Sequence, residues 1–558
     1  MLKNTFLIVV FLIITSVSLA NPISSDLNLN TTSLDKILNI GNESPEILTA
    51  WSPDGQYLLV TYYSNIHTHY LLDMNSHTWG EIDYGIKDSE TNHILDAKWA
   101  PSGDKIYFRV SKADRTNSGI CYIICNPDGT NLRCVGTNYT DLSTVMANIG
   151  NIGFQNNLKW GSDSGKIVFE WQKPGNVLNG VYIANGDGTN VHELILGKKP
   201  IFYDSNKIFV LDEGTLDLIN ENGDVIQAFQ PKNENEQYSA VSLSPDRKKI
   251  LIFSWFVGSS NSQTYISNID DSNLKGRISY YDGKDIEVLT KEYWQPNGSL
   301  LLVNNNGNLY IVEGDANNRR LLYEGNASKP QWFPNGKKIA FTENKNKLYS
   351  IDTDGTNLTF ITNFGLTNSF FWDMFWDPLN KAKQFSISPS GSTIVFMSAL
   401  YPDTGKLIEN EPQSSKFQGI AAPLFIVNSD GSNLTQITPK IKGRHYVFGD
   451  WSPDGKQFTI GSIVFTSDIN WDYGENSLIE LNSENSTSVW KKLPVSEIAC
   501  EKTAPSTIEK TQKSKLNSTN VSQTIEHKEE SKQSPSFLFL QMFSCIMGVW
   551  ILHKTREK

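Results

Sequence analysis

Between Trp332 and Ile361 the chain alternates short apolar blocks with polar turns, and the blocks are too short and too uniform for amphipathic helices. Lys338-Ile339-Ala340-Phe341-Thr342 has apolar residues on both sides of its pleat. A half-exposed strand would alternate, so this block predicts a strand covered on both faces. Leu348-Tyr349-Ser350-Ile351 and Leu358-Thr359-Phe360-Ile361 predict two more strands. The turns between them differ in kind. Pro334-Asn335-Gly336 presets one φ and tolerates positive φ at the next two residues, whereas Asp352-Thr353-Asp354-Gly355 reads as a hairpin turn.

Both turns recur in the same order. Trp51-Ser52-Pro53-Asp54-Gly55 returns at Trp99, Trp294, Trp332 and Trp451, and more loosely at Trp160, at Leu243 with Ser244-Pro245-Asp246, and at Ile387 with Ser388-Pro389-Ser390-Gly391. The second turn returns as Asn126-Pro127-Asp128-Gly129, Asn185-Gly186-Asp187-Gly188, Asn220-Glu221-Asn222-Gly223 and Asn428-Ser429-Asp430-Gly431. Onsets lie from 38 residues (294 to 332) to 83 residues (160 to 243) apart, and the longest gap hides a degenerate copy at 201–229. The underlying period of about 40 to 50 is the blade length of a β-propeller. The expected fold is therefore all-β, a β-propeller of four-stranded antiparallel blades over residues 47–494. Nine candidate onsets are visible. Eight blades are expected, with seven or nine left open. Ser369 to Lys383, rich in Phe and Trp, lacks the period and is expected to plug or cap the ring rather than line a ligand pocket, the alternative reading.

The ends read differently. Lys3, the apolar run Phe6 to Val17 and the small site Ser18-Leu19-Ala20 predict a signal peptide over residues 1–20, cleaved after Ala20, with a lead-in over 21–46. Residues 495–536 are rich in Ser, Thr, Lys and Glu and predict a disordered stalk. Residues 537–558 hold an apolar run of sixteen, Phe537 to Leu552, and a basic end. As a helix that run would span roughly 24 Å against a hydrocarbon core of about 30 Å, a short anchor whose positive flank stays cytoplasmic. An extracytoplasmic, surface-anchored propeller is the expected location.

The net charge of −11 and the lack of a basic patch alternating with aromatics argue against a nucleic-acid partner. Ten Asn-x-Ser/Thr sequons, from Asn30 to Asn520, are potential glycan sites in a secreted chain. Of five cysteines, Cys125 and Cys134 flank one hairpin turn and are the first candidates for a disulfide; Cys121 with Cys134 is the next pairing, and three buried thiols the plain alternative. No suitably spaced His follows them, and no metal is expected. His67-Thr68-His69 lacks a third ligand and reads as structural. Neither the Asp352 nor the Asn185 turn has the Glu that a calcium loop needs. Gly161-Ser162-Asp163-Ser164-Gly165 has Asp where a nucleophile elbow needs Ser, so no catalytic residue and no cofactor are expected.

The Trp51 and Trp332 repeats, each followed by an Asp-Gly-Thr-Asn type turn, resemble the WD40-like repeat of TolB-type propellers. They are also similar to the propeller that gates prolyl-oligopeptidase and dipeptidyl-peptidase enzymes, whose hydrolase domain has no counterpart here. The resemblance covers about residues 50 to 494. It implies the propeller and a general binding role; a Tol-like transport role does not follow. Pro535-Ser536-Phe537 ahead of the apolar run resembles the archaeal Pro-Gly-Phe sorting signal, with Ser536 in the Gly position. A cleaved, lipidated tail and a single-pass anchor stay equally open.

These readings combine into a non-catalytic cell-surface scaffold that binds envelope or extracellular proteins or glycans, with recognition in the insertions 83–96, 138–157, 258–276 and 401–423. The alternatives are a secreted glycan lyase or hydrolase acting at the central channel and a propeller that partners a separate peptidase.

Overall fold

A computed structural model of the chain describes most of residues 29–492; residues 1–28 and 493–558 lie outside the described residues, as do internal stretches of which the longest are 281–293, 364–384 and 403–420. Among the described residues the strands fall into nine successive antiparallel units, at 46–81, 92–134, 154–196, 198–229, 236–280, 294–323, 327–363, 385–436 and 444–481. We number these units 1 to 9. Eight blades were expected, with seven or nine open, and one of these units is the degenerate copy already seen among the nine onsets: its strands Lys198–Phe202, Lys207–Asp212, Thr215–Asn220 and Val225–Phe229 make a complete sheet without the tryptophan motif. A weakened turn signature did not stop its apolar blocks from pairing. The aromatic segment 369–383 lies outside the described residues.

The pentapeptide motif joins the first and second strand of a unit, and each of its positions has a job. Ser52 is buried; its Oγ accepts from the Tyr57 N–H at 2.9 Å and donates to Asp54 Oδ1 at 2.6 Å. Asp54 in turn accepts from the Gln56 N–H. Ser244 with Asp246 and Ser452 with Asp454 repeat this arrangement. Gly55 has φ 73°, and a Cβ there would lie 3.3 Å from Pro453 of unit 9. Gly103 faces Pro53, Gly391 faces Pro334 and Gly455 faces Pro389 in the same way, so each glycine sits on the proline of the preceding unit. Where unit 5 has Arg247 in place of Gly, the arginine adopts φ 58° and donates to the Tyr203 carbonyl of unit 4 at 2.9 Å. The tryptophan completes the joint. Trp51 donates its indole N–H to the Asp450 carbonyl, Trp99 to Ala50, and Trp294 to Ser242 Oγ, each in the unit before.

The central strands explain the uninterrupted apolar blocks. Ile339 and Phe341 pack against Leu302 and Ile311 of unit 6, while Ala340 packs with Phe385, Ile394 and Phe396 of unit 8. The same two-sided burial links units 8 and 9 through Val395, Ile426, Phe448 and Phe458. The last cluster joins the ends of the series: Leu58, Val60 and Leu72 of unit 1 pack with Leu34 and Leu478. Units stacked side by side in sequence order, with the first packed on the last, make a closed β-propeller.

Strand exchange fastens that closure. Leu29–Ser33, which sequence placed in the lead-in, pairs antiparallel with Ser477–Leu481 over five residue pairs and forms the outer strand of unit 9. The short helix α1 (Leu34–Ile37) follows, capped by the Ser33 side chain, and Asp35 accepts from the Asn476 N–H at 2.9 Å. At the other end Lys491–Lys492 adds a parallel pair to Thr78–Glu81 at the edge of unit 1.

Candidate insertion-bearing face

Antiparallel order sends both repeated turns to one side of each unit and the other connections to the opposite side. The two sides are built on different terms. On the first, Asp128, Asp187, Asp354 and Asp430 each accept from the backbone and hydroxyl of a Thr or Ser two residues on, and Asn131, Asn190, Asn357 and Asn433 take positive φ. These turns are closed on themselves. The long connections of units 1, 2 and 8 leave from and return to the second side. Of the four predicted insertions, the described part of 83–96 runs into the strand Asn92–Trp99, and 258–276 contains the strand Ser262–Asn268. Much of 401–423 lies outside the described residues.

The insertion 138–157 contains an unforeseen helix, α2 (Leu142–Ile152). Asp141 caps it, accepting from the Thr144 N–H at 2.8 Å and from the hydroxyls of Ser143 and Thr144. Leu142, Val145, Met146, Ile149 and Ile152 form its buried stripe, and Gly153 at φ 89° ends it. The helix is seated closely on units 2 and 3: a Cβ on Gly119 of unit 2 would lie 2.5 Å from the Ile149 carbonyl, and Trp171 of unit 3 donates its indole N–H to the Ile152 carbonyl at 2.7 Å. Ser143, Ala147 and Asn151 remain exposed on its outer side. The signal for this helix was present in the sequence as an Asp cap, apolar residues at three-to-four spacing and a stop glycine.

Polar groups reach the same side between units 3, 4 and 5. Glu170 is buried and accepts from the Asn157 and Asn179 amides and, at 2.5 Å, from the Lys199 N–H. Asn157 and Lys199 lie on the first strands of units 3 and 4 at bulges, with φ 53° and 50°; Lys329 repeats the feature in unit 7. Lys199 Nζ donates to the Ser239 carbonyl of unit 5 at 2.6 Å. Glu236 is buried as well. Burial pushes its carboxyl up, but donors on Ser254, Tyr265 and Asn233 outweigh this and hold it below the usual range. The nearby Tyr238 hydroxyl is pushed well up by burial and then by the Glu236 charge. Each carboxylate is thus engaged by neutral donors that fix strand geometry.

The remaining sequence candidates resolve as follows. His69 is buried, hydrogen-bonded to Thr61 Oγ1 at 2.9 Å and packed against Phe108. Among the described residues no group of three His, Cys, Asp or Glu could hold a metal ion. Cys121, Cys125 and Cys134 are buried free thiols. Burial, with Asp128 nearby, pushes the Cys125 thiol up to about 12, while Cys121 is hydrogen-bonded to Cys134. No helix among the described residues is long and apolar enough to cross a membrane. Ala20 and Pro535, Ser536 and Phe537 lie outside them.

No family model matches the chain, and no curated protein matches it. Among solved structures it is similar to an oligogalacturonate lyase from Vibrio parahaemolyticus, 12% identical, over 72% of this chain and 97% of that one, with a TM-score of 0.36. It is also similar to the Dos1 propeller, 11% identical over 81% and 96% with a TM-score of 0.38, and to a eukaryotic initiation factor, 12% identical over 79% and 91% with a TM-score of 0.38. At those values the likenesses say nothing of ligand or chemistry; the propeller stands on its own sheets and their closure.

Proposed function

We propose that the protein is a non-catalytic, extracytoplasmic propeller of the TolB-like repeat type that binds an envelope protein or glycan through its insertion-bearing face. The observation that carries this reading is the asymmetry between the two faces. One is composed of repeated short turns that satisfy their own hydrogen bonds and lock onto their neighbours. The other carries the long connections, a docked helix with an exposed side, and polar side chains from three units. A rigid ring with one variable face is suited to recognition, because loop residues there can change without disturbing the blades. The stalk and tail of the sequence support tethering at the membrane, whether by an uncleaved apolar helix or by a sorting signal of the Pro-Gly-Phe type.

The test is capture from envelope fractions and retention on a glycan array, using the full chain. Ala147→Lys with Asn151→Lys, on the outer side of α2, is expected to abolish retention. Gln56→Lys with Lys456→Glu, beside motif turns on the opposite face, is expected to leave it intact. Equal loss in both variants would refute the reading. Location is checked by protease shaving of intact cells, which should release fragments of the propeller before lysis.

A channel-centred glycan lyase or hydrolase is the second reading. It is favoured by the left-handed backbones of Asn157 and Lys199 on first strands, since such outliers gather at functional sites. Turnover of a polysaccharide that disappears in Lys199→Ala would establish it in place of the scaffold.

A further inference from the structure

Unit 2 has only a vestigial fourth strand, Arg133–Cys134, paired with Ile124 and Ile123. At Cys134 the chain turns away and begins the segment 135–153 that carries α2. Backbone bonds mark this root: Val135 donates to the Tyr122 carbonyl at 2.9 Å, Cys134 donates to the Tyr139 carbonyl at 3.0 Å, and buried Gln155 bridges the Val135 carbonyl and the Tyr122 N–H. Register then brings two thiols together. Cys134 lies opposite Ile123, and Cys121, two residues before Ile123, shares its face of the sheet. Both side chains are fully buried, and their thiols are in hydrogen-bonding contact. Cys125 lies on the other diagonal, toward the turn, where Asp128 and Lys105 are its charged neighbours.

We infer that Cys121 and Cys134 form a disulfide that pins the root of the α2 segment, and that Cys125 stays a thiol. The reaction is thiol–disulfide exchange with a small disulfide such as glutathione disulfide. One cysteine thiolate attacks it and releases one glutathione thiol. The second cysteine then displaces the other glutathione, so the two protein sulfurs are oxidised and the donor leaves as two thiols. A buried thiol resists deprotonation, so exchange proceeds while the chain folds or when the segment opens. The link fixes how α2 is presented whether or not that face binds a ligand.

The experiment supplies the oxidant and therefore does not depend on the proposed location. The full chain is reduced, unfolded and refolded with glutathione disulfide; free thiols are then blocked with iodoacetamide, and the digest is mapped by mass spectrometry without reduction. A parallel sample comes from expression in an oxidising compartment, in case refolding fails. The expected map has Cys121 linked to Cys134 and Cys125 alkylated. Cys125→Ser is expected to keep the link, and Cys121→Ser to leave Cys134 alkylated. The unfolding equilibrium constant in urea is expected to be about a hundredfold smaller for the oxidised protein than after reduction, the scale set by closing the loop 121–134. Alkylation of both Cys121 and Cys134 in folded protein from either source, or a predominant Cys125–Cys134 link, overturns the inference.

Discussion

Ser52 holds together both ends of its turn, since its Oγ receives the Tyr57 N–H while its own proton goes to Asp54. Ser52→Ala leaves the buried Tyr57 N–H without that acceptor and is expected to destabilise the fold by about 1–3 kcal/mol in urea unfolding. Gly55→Ala should cost about 1–2 kcal/mol for the left-handed backbone alone, with Pro453 crowding added. The aspartates give the turns a pH dependence. Hydroxyl and then backbone donors on Ser432 hold Asp430 below its ordinary range; for Asp454, burial acts upward but Ser452 and Lys456 outweigh it. Folded pKa values below the unfolded ones stabilise above the unfolded value, about 4, and that stability is lost as pH falls through the folded value. Urea midpoints are expected to drop as pH falls below about 4, and Asp430→Asn should flatten the drop. Asp217 has the opposite sign: burial, and then Asp212, raise its pKa, so its ionisation weakens the fold as pH rises through the interval above about 4. Asp217→Asn is expected to be more stable than the parent at pH 7 and equal to it at about pH 3.

α2 is an element that its sequence announced and an insertion reading concealed. Asp141, the apolar stripe from Leu142 to Ile152 and Gly153 form a complete set of start, face and stop signals within one connection. The blades were legible for a different reason. Their turns repeat, and blocks such as Ile339 to Phe341 can be continuous only if both sides are covered. The degenerate unit was harder to count because it keeps the strands without the motif. The carboxylate of Glu170 could not be read locally, because it accepts from the Lys199 N–H of the next unit, and the bulges at Lys199 and Lys329 put positive φ on a lysine, with no turn residue at either position to mark them. Asp141→Ala removes the cap and is expected to cost α2 about 0.5–2 kcal/mol. Hydrogen exchange should quicken across 142–152 while the strands of units 7 and 8 keep their protection.

Closure of the ring couples the extremes of the chain, a pairing that no local pattern foretells. The two fastenings are unequal. Leu29–Ser33 contributes five residue pairs, and the helix after it buries Leu34, while Leu38 just beyond is also buried. Losing those two leucines alone removes about 1.5–3 kcal/mol each, and unit 9 would then expose the edge of Ser477–Leu481. Lys491–Lys492 contributes two pairs, both side chains are exposed, and its main side-chain contact is Lys492 over the Trp79 ring at 5.0 Å, worth about 0.5–1 kcal/mol. Deleting residues up to Leu38 should therefore lower the melting temperature far more than ending the chain at residue 490. It should also promote association through the bared strand, visible as oligomers in size-exclusion chromatography. If the two truncations melt alike and both stay monomeric, the ring is held shut by the contacts of unit 1 with unit 9 themselves, chiefly Trp51 to Asp450 and Gly55 on Pro453, and the exchanged strand is dispensable.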